Sequence, residues 1–299
     1  MNSVRLRAAT LLSLFALTLC AGCTDKEPKA KKPPKRGVAA QPAIPDGPFV
    51  DYHDAGKTQK KTEGRIEGGK KAGEWMFWDA EGHLVLKGRF EADMPEGAWI
   101  EQFPSGQKKS EKLWKKGEAD GPALEWYEDG QKKSEGQYKL GARDGAWVEY
   151  HPDGKKQSEG TYAAGKQIGS WISWHPSGTK AVLGAYKDGK KDGPWRGWFE
   201  DGKPQTESQY AADKVEGAMK LWYENGTLRQ EGTFKDGLAD GPAKLWYSSG
   251  KLASEGSFSA GKRTGTWKFY DEAGTQDDAQ SGEYKDDAKV TGAPLGGAK

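Results

Sequence analysis

Two histidines and a series of glutamates are the residues in this chain whose types and spacing suit catalysis. His151 and His175 lie 24 residues apart, and imidazole pairs bind zinc when their nitrogens lie within about 3–4 Å of each other. The glutamates follow the same interval, and carboxylate pairs about 5–9.5 Å apart hydrolyse glycosides. They are Glu111, Glu135, Glu159, Glu207, Glu231 and Glu255, with Glu63 in the equivalent place of an earlier unit. Both the zinc site and the carboxylate pair therefore depend on the distance in space that 24 residues of chain correspond to.

Glycines show that the interval is a repeat of the whole chain. Nine of them lie 24 residues apart, at Gly73, Gly97, Gly121, Gly145, Gly169, Gly193, Gly217, Gly241 and Gly265. A second series lies nine residues later, from Gly82 to Gly274. An earlier unit begins at Gly47, and both this unit and the last one carry two extra residues. We count ten units over residues 46–290, with the irregular ones at the ends, as expected of capping repeats.

Tryptophans follow the same period when the first glycine of each unit is counted as position 0. Six of the 13 lie at position +2: Trp75, Trp99, Trp147, Trp171, Trp195 and Trp267. Six more lie at position +5: Trp78, Trp126, Trp174, Trp198, Trp222 and Trp246. Trp114 lies at +17, where the other regular units have Phe or Tyr. Each unit therefore builds the same structure from the same few aromatic side chains.

Turn-forming pairs divide every unit into two short strands. The second glycine often follows Asp or Asn, as in Asp129-Gly130 and Asn225-Gly226, and such pairs between aromatic runs are typical of β-hairpins. The runs of six to eight residues are too short and too glycine-bounded for helices. A linking turn is predicted at Asp120-Gly121, Asp144-Gly145, Asp192-Gly193 and Asp240-Gly241.

These elements predict an all-β fold, an elongated repeat array of stacked β-hairpins that forms a long twisted antiparallel sheet. One unit adds two strands, so equivalent residues lie about 9.6 Å apart. That distance is too long for His151 and His175 to share a zinc ion, and it falls at the limit for a carboxylate pair. We expect the glutamates to pair with lysines across strands. The chain is therefore expected to be no enzyme, with no catalytic residue, no metal site and no cofactor.

The two tryptophan columns point to opposite faces of the sheet, because +2 and +5 differ by three residues. One face is expected to be the core of a thin sheet. The other is a candidate binding surface, and the residues that we assign to it as binding or core aromatics are Trp78, Trp126, Trp174, Trp198, Trp222 and Trp246. Where +2 is not aromatic, as at Ala123, a tyrosine at +6 (Tyr127) supplies a large side chain.

Composition supports this reading and excludes nucleic acid as a partner. Glycine makes up 42 of the 299 residues and aromatic residues 11%, which suits a fold of many turns with a thin aromatic core. Residues 46–299 contain 38 basic and 42 acidic residues, so this part lacks the excess of positive charge that nucleic-acid binding requires.

The first residues are typical of an exported lipoprotein. Arg5 and Arg7 precede an apolar run from Ala8 to Leu19, which is too short to span a bilayer and matches the core of a signal peptide. The small residues Ala21 and Gly22 then precede Cys23, as in a bacterial lipobox. We predict a signal peptide over residues 1–22, lipidation of Cys23, a disordered tether over 23–45 and a flexible C-terminal tail over 291–299.

The repeat resembles the MORN repeat, in the variant form of bacterial YwqK-like proteins. The segments DGPWRGWFEDG, from Asp192 to Gly202, and DGPAKLWYSSG, from Asp240 to Gly250, carry the resemblance, which extends over residues 47–290. It implies hairpins stacked side by side into one sheet, and binding of proteins or lipid surfaces without shared chemistry. It also implies an antitoxin-like or immunity role, because YwqK-like proteins are described as antitoxin components.

These observations predict a non-enzymatic, lipid-anchored scaffold of the cell envelope that mediates protein–protein interaction. The expected partners are another envelope protein and, through the lipid, the membrane. Thr24 after Cys23 favours the outer membrane facing the periplasm. A glycan, such as peptidoglycan bound along an aromatic ladder, is the alternative ligand, and an immunity or antitoxin-like binding protein is the third interpretation.

Overall fold

The computed structural model describes residues 44–290. The signal peptide, Cys23 and the C-terminal tail lie outside these residues, as does the tether except for Ile44 and Pro45. No helix among residues 44–290 is long and apolar enough to cross a membrane.

The prediction of an all-β hairpin array is confirmed, because 22 strands form one open, twisted antiparallel sheet. Hydrogen-bonded neighbours in the sheet are mostly neighbours in sequence. The strands are β1 Gly47–Tyr52, β2 Lys60–Glu67, β3 Lys70–Trp78, β4 Leu84–Glu91, β5 Met94–Gln102, β6 Lys108–Lys115, β7 Glu118–Trp126, β8 Lys132–Lys139, β9 Ala142–Tyr150, β10 Lys156–Ala163, β11 Lys166–Trp174, β12 Lys180–Lys187, β13 Lys190–Lys191, β14 Gly193–Trp198, β15 Pro204–Ala211, β16 Lys214–Trp222, β17 Leu228–Lys235, β18 Leu238–Trp246, β19 Leu252–Ser259, β20 Lys262–Phe269, β21 Gly282–Lys285 and β22 Ala288–Lys289.

The predicted hairpin turn at the second glycine is present between the two strands of each regular unit. In the unit that begins at Gly121, the N–H of Gly130 donates to the carbonyl of Tyr127 at 2.9 Å. Gly130 has a φ of +87°, which L-residues with side chains rarely adopt. This is a three-residue hairpin loop that ends in a left-handed glycine.

The predicted linking turn was placed wrongly. Asp120 and Gly121 lie inside β7, and the units are instead joined by two-residue turns such as Leu140-Gly141, where φ is +49° and +77°. Positive φ at both residues defines a type I′ turn, whose twist matches that of the flanking strands. Asp120 still contributes to this turn although it lies outside it, because its Oδ2 accepts a hydrogen bond from the N–H of Leu140 at 3.4 Å.

Gly121 instead forms a β-bulge in its own strand. Trp114 pairs with Ala119 and Lys112 with Ala123, so four steps along β7 span two steps along β6. Gly121 adopts a φ of +124° there, a backbone conformation that favours glycine. An Asp-Gly pair looks the same in sequence in either setting, because a tight turn and a bulge both need a residue with positive φ.

Candidate functional site

The core face of the sheet, which carries the +2 side chains, is built on tryptophan packed against glycine. Trp147 is only 3% exposed, and its ring lies against Gly136 on the neighbouring strand. Its indole Nε1–H donates to the carbonyl of Gln137 at 3.1 Å. The packing of the ring on glycine recurs for the other +2 tryptophans. Each lies on a glycine at position +15 of the preceding unit: Gly64, Gly88, Gly160, Gly184 and Gly256.

Tyrosines at +17 join these tryptophans into a continuous chain of rings. Tyr162 meets Trp147 and Trp171 edge-on, with ring centroids 6.1 and 5.1 Å apart, a geometry that aromatic pairs prefer. The chain of T-shaped contacts runs from Tyr138 to Tyr210. The +2 column is therefore the core of the sheet.

Long cationic side chains lie over this core, which no second layer covers among residues 44–290. The guanidinium of Arg143 lies 4.1 Å from the ring centroid of Trp147, and Nζ of Lys191 lies 4.3 Å from that of Trp195. Burial lowers the pKa of Lys191, while the nearby Asp213 carboxylate raises it. Both side chains contribute cation–π attraction as well as the apolar cover of their stems.

The outer face, defined here by positions +3, +5, +11 and +14, carries the six candidate tryptophans. Within residues 44–290 all six are half-buried, and no other layer of the protein packs over them. Positions +5 and +11 form a row beside the three-residue turns, which we name the turn row. Positions +3 and +14 form a second row nearer the middle of the strands, which we name the inner row.

Lysines and glutamates link the two rows in the first half of the array. Nζ of Lys108 lies 2.8 Å from a carboxylate oxygen of Glu111 and 5.8 Å from the ring centroid of Trp126. The same arrangement joins Lys60, Glu63 and Trp78, and also Lys156, Glu159 and Trp174.

Tyr150 occupies the +5 position between these tryptophans, and its hydroxyl donates to the carboxylate of Glu135 at 2.5 Å. This bond raises the pKa of Tyr150 to about 12. The pKa of Glu135 is lowered, first by its hydrogen bond from Lys132 and then by that from Tyr150. The turn row and the inner row are thus directly bonded to each other on the outer face.

The glutamate column is part of the framework, but its cross-strand pairing with lysine holds only in part. Glu255 has Lys244 at 3.5 Å and Lys268 at 3.9 Å on the two neighbouring strands. Glu111, Glu135 and Glu159 instead pair with a lysine three residues earlier on their own strand. This is possible because the hairpin bulge at +12 places +11 and +14 on the same face.

The two spaced histidines join neighbouring repeats through hydrogen bonds. Nε2 of His151 donates to the carbonyl of Trp174 at 3.0 Å, and Nε2 of His175 donates to that of Trp198 at 2.8 Å. Among residues 44–290, no three His, Cys, Asp or Glu side chains form a group that could hold a metal ion. Tyr127 at the same +6 position donates its hydroxyl to the carbonyl of Tyr150 at 2.7 Å, so these side chains connect units along the turn edge.

The signal that sequence reasoning missed is the pairing of position +15 with position +2 of the next unit. Every +2 tryptophan faces a glycine. Where +2 is Ala123 or Met219, the facing residue is Lys112 or Ser208. Ala243 still faces a glycine, Gly232. Both columns can be read from the sequence, but only the structure shows that they face each other and so mark the core face.

A comparison with protein-family models identifies the same repeat and names no enzymatic activity. The family model described as "MORN repeat variant" matches residues 119–140, 143–164, 191–212, 215–236 and 239–260. No curated protein matches the chain.

The crystal structure of TcdB2-TccC3-TEV aligns with 70% of this chain at 11% identity and a TM-score of 0.18, and that of TcdB2-TccC3-Cdc42 with 72% at 12% identity and a TM-score of 0.19. The chain spans 12% and 14% of those two proteins. The five segments that the family model matches correspond to five of the ten hairpin units, which are thus similar to the MORN repeat variant.

Proposed function

We propose that this chain is a non-enzymatic scaffold of the cell envelope that binds another envelope protein along the outer face of its sheet. The observation that carries the proposal is the row of half-buried aromatic side chains that nothing else among residues 44–290 covers. Exposed apolar surface bordered by charged residues marks protein-binding sites. MORN repeats commonly mediate protein or membrane interactions, which supports the same reading.

Photo-crosslinking in intact cells tests this function, with the crosslinking residue placed either on the outer face or in a hairpin turn away from it. Val148 lies in the inner row of the outer face, and Ser105 lies exposed in a hairpin turn. We expect the residue at 148 to capture one discrete protein and the residue at 105 to capture none. Equal capture from both positions would contradict binding on the outer face.

The proposed lipid anchor at Cys23 would hold the scaffold at the outer membrane, facing the periplasm. Its support is the pair Arg5 and Arg7 with the apolar run from Ala8 to Leu19, followed by Ala21-Gly22-Cys23. We expect Cys23→Ala to abolish sedimentation with membranes or to block processing. Mass spectrometry that finds an unmodified N-terminus elsewhere would refute the anchor.

An envelope glycan is the second candidate ligand. The observation that favours it is the uninterrupted run of Trp174, Trp198, Trp222 and Trp246 along the turn row, since evenly spaced flat rings suit a polymer of repeating rings. Purified peptidoglycan should then retain the protein, and Trp222→Ala with Trp246→Ala should abolish retention. An immunity role, which the resemblance to YwqK-like proteins suggests, is compatible with the protein-binding proposal.

A further inference from the structure

Positions +3 and +11 of the outer face exchange their chemical character halfway along the array. In the first half, the inner row supplies apolar side chains: Met76, Ile100, Leu124, Val148, Ile172 and Leu183. In the second half, the +3 positions of this row are all basic: Arg196, Lys220, Lys244 and Lys268. They alternate with Glu207, Glu231 and Glu255 on the intervening strands.

The turn row changes in the opposite sense. In the first half its +11 residues are mainly lysines, namely Lys60, Lys108, Lys132, Lys156 and Lys180. In the second half the +11 residues are apolar, at Pro204, Leu228 and Leu252, and they lie beside the aromatic +5 residues Trp222, Trp246 and Tyr270. Apart from exposed Pro204, these side chains are half-buried.

Together the two apolar halves form one oblique stripe. The stripe starts in the inner row at Met76 and passes to the turn row between Leu183 and Trp198. Two residues along a strand separate the rows, which corresponds to about 7 Å. Neighbouring strands of a twisted sheet rotate by about 20–25°, so a straight ligand laid across many strands makes an oblique contact. A stripe of this form suits a rod better than a flat surface.

The charges beside the stripe identify the kind of rod. From Lys60 to Tyr270 the two rows contain ten basic and seven acidic residues, whereas residues 44–290 as a whole contain 37 basic and 42 acidic residues. These two rows are thus positive on a body that is negative. Its glutamates neutralise individual lysines, as in the 2.6 Å pair of Lys156 with Glu159, and the excess of bases stays. A complementary ligand carries acidic side chains along its apolar contact line.

We propose that the stripe binds an acidic amphipathic helix of the partner protein, an inference that rests on the proposed protein-binding function. Equivalent stripe residues repeat about every 9.6 Å across the sheet. Seven residues of an α-helix rise about 10.5 Å, so one apolar position per heptad meets one repeat. Docking of an amphipathic helix by its apolar side is a common mode of peptide recognition.

Two synthetic peptides of about 28 residues, or four heptads, test this in titrations of the full chain. One carries leucines at the apolar heptad positions with glutamates beside them, and the other has lysines in place of the glutamates. We expect the acidic peptide to bind at least about tenfold tighter, with the difference shrinking at high salt. Equal affinities, or tighter binding of the basic peptide, would overturn the proposal.

Variants of the stripe show whether the peptide binds there. Leu124→Lys with Val148→Lys should weaken binding about tenfold or more, as loss of central apolar contacts does. The matched control is Leu140→Lys, because Leu140 is 72% exposed in a linking turn away from the stripe, and it should change nothing. Circular dichroism checks that both variants keep the fold. If both weaken binding equally, the stripe is not the site.

Other occupants give distinguishable results. Tighter binding to phosphatidylglycerol vesicles than to the acidic peptide, or self-association that Leu124→Lys abolishes, would replace the helix by a membrane or a second copy. If the peptides fail while crosslinking from position 148 still captures one protein, the partner has another shape and the proposed function stands. If crosslinking from 148 also fails, the proposed function itself is wrong.

Discussion

Gly136 lies beneath the indole ring of Trp147, and a Cβ atom added to the glycine would come within 2.3 Å of Cδ2 of that ring. Gly232 occupies the same position opposite Ala243, where an added Cβ would meet its nearest atom, Cβ of Ala243, at an ordinary 3.5 Å. The two sites therefore have the same backbone setting and differ in the residue that covers them. They form a natural pair for testing what holds the sheet together.

Gly136→Ala should destabilise the protein by about 1–3 kcal/mol, the usual cost of overpacking a core. Gly232→Ala should change stability by less than about 1 kcal/mol, and alanine's smaller unfolded-state entropy favours a gain. Urea denaturation followed by tryptophan fluorescence measures both. Equal losses in the two variants would show that the tryptophan–glycine contact does not determine core stability.

Lys112 occupies position +15, where the units that precede a +2 tryptophan have glycine. This difference explains why the residue that faces it is Ala123 and not tryptophan. Lys112 lies directly opposite Ala123, and its Nζ reaches Glu125 at 3.8 Å and the Tyr138 ring centroid at 5.7 Å. We expect Ala123→Trp alone to destabilise the protein and the addition of Lys112→Gly to recover the loss. The coupling between them should be about 0.5–3 kcal/mol, as for other residues in contact.

Ala243→Trp is the control for that pair, because its facing residue is already Gly232. This single substitution should therefore cost less than Ala123→Trp. Equal costs of the two substitutions in denaturation experiments would show that the facing residue is irrelevant.

Stability should fall at alkaline pH in a way that depends on Tyr150. Its hydrogen bond to Glu135 raises the pKa of the folded protein's Tyr150 to about 12, above its ordinary value of about 10. A raised pKa means that the contribution is complete below pH about 10 and is lost as pH rises towards about 12, since the unfolded chain gives up its proton first.

Tyr150→Phe should make the decline in unfolding free energy between about pH 10 and 12 shallower. The phenol of Tyr127 has a pKa raised mainly by burial and donates to a carbonyl instead of a carboxylate. Tyr127→Phe is therefore the control. If the two variants show the same pH profile, the Glu135 carboxylate has no special effect.

Deleting one full period should be tolerated, since each hairpin packs only on its neighbours. Removal of residues 145–168 joins Asp144 to Gly169, so β9 would continue into the equivalent bulge and remainder of β11. Removal of residues 145–156 instead breaks a hairpin and should unfold that region. Circular dichroism and thermal denaturation distinguish the two. Unfolding by the full-period deletion alone would contradict the stacked-hairpin architecture.

The chain's period, its hairpins and the opposite orientation of +2 and +5 could be predicted from the sequence because they depend on local rules. Asp-Gly and Asn-Gly pairs specify turns between residues close in sequence, and strand side chains alternate between two faces. Thirteen tryptophans confined to three positions make the repeat unmistakable. For the same reason the sequence excluded a shared zinc site for His151 and His175, since one repeat spans two strands.

Only the tertiary structure decided which aromatic face is the core and where the units join. Gly121 requires positive φ in either a turn or a bulge, and the choice depends on which residues of the neighbouring strand pair with β7. Likewise, Trp147 and Trp174 are equally apolar in sequence. Trp147 is buried because Gly136, eleven residues earlier, leaves room for its ring on the adjacent strand. Trp174 lies on the outer face, where Lys156 lies above its ring. These differences arise from contacts across strands, which composition and periodicity do not encode.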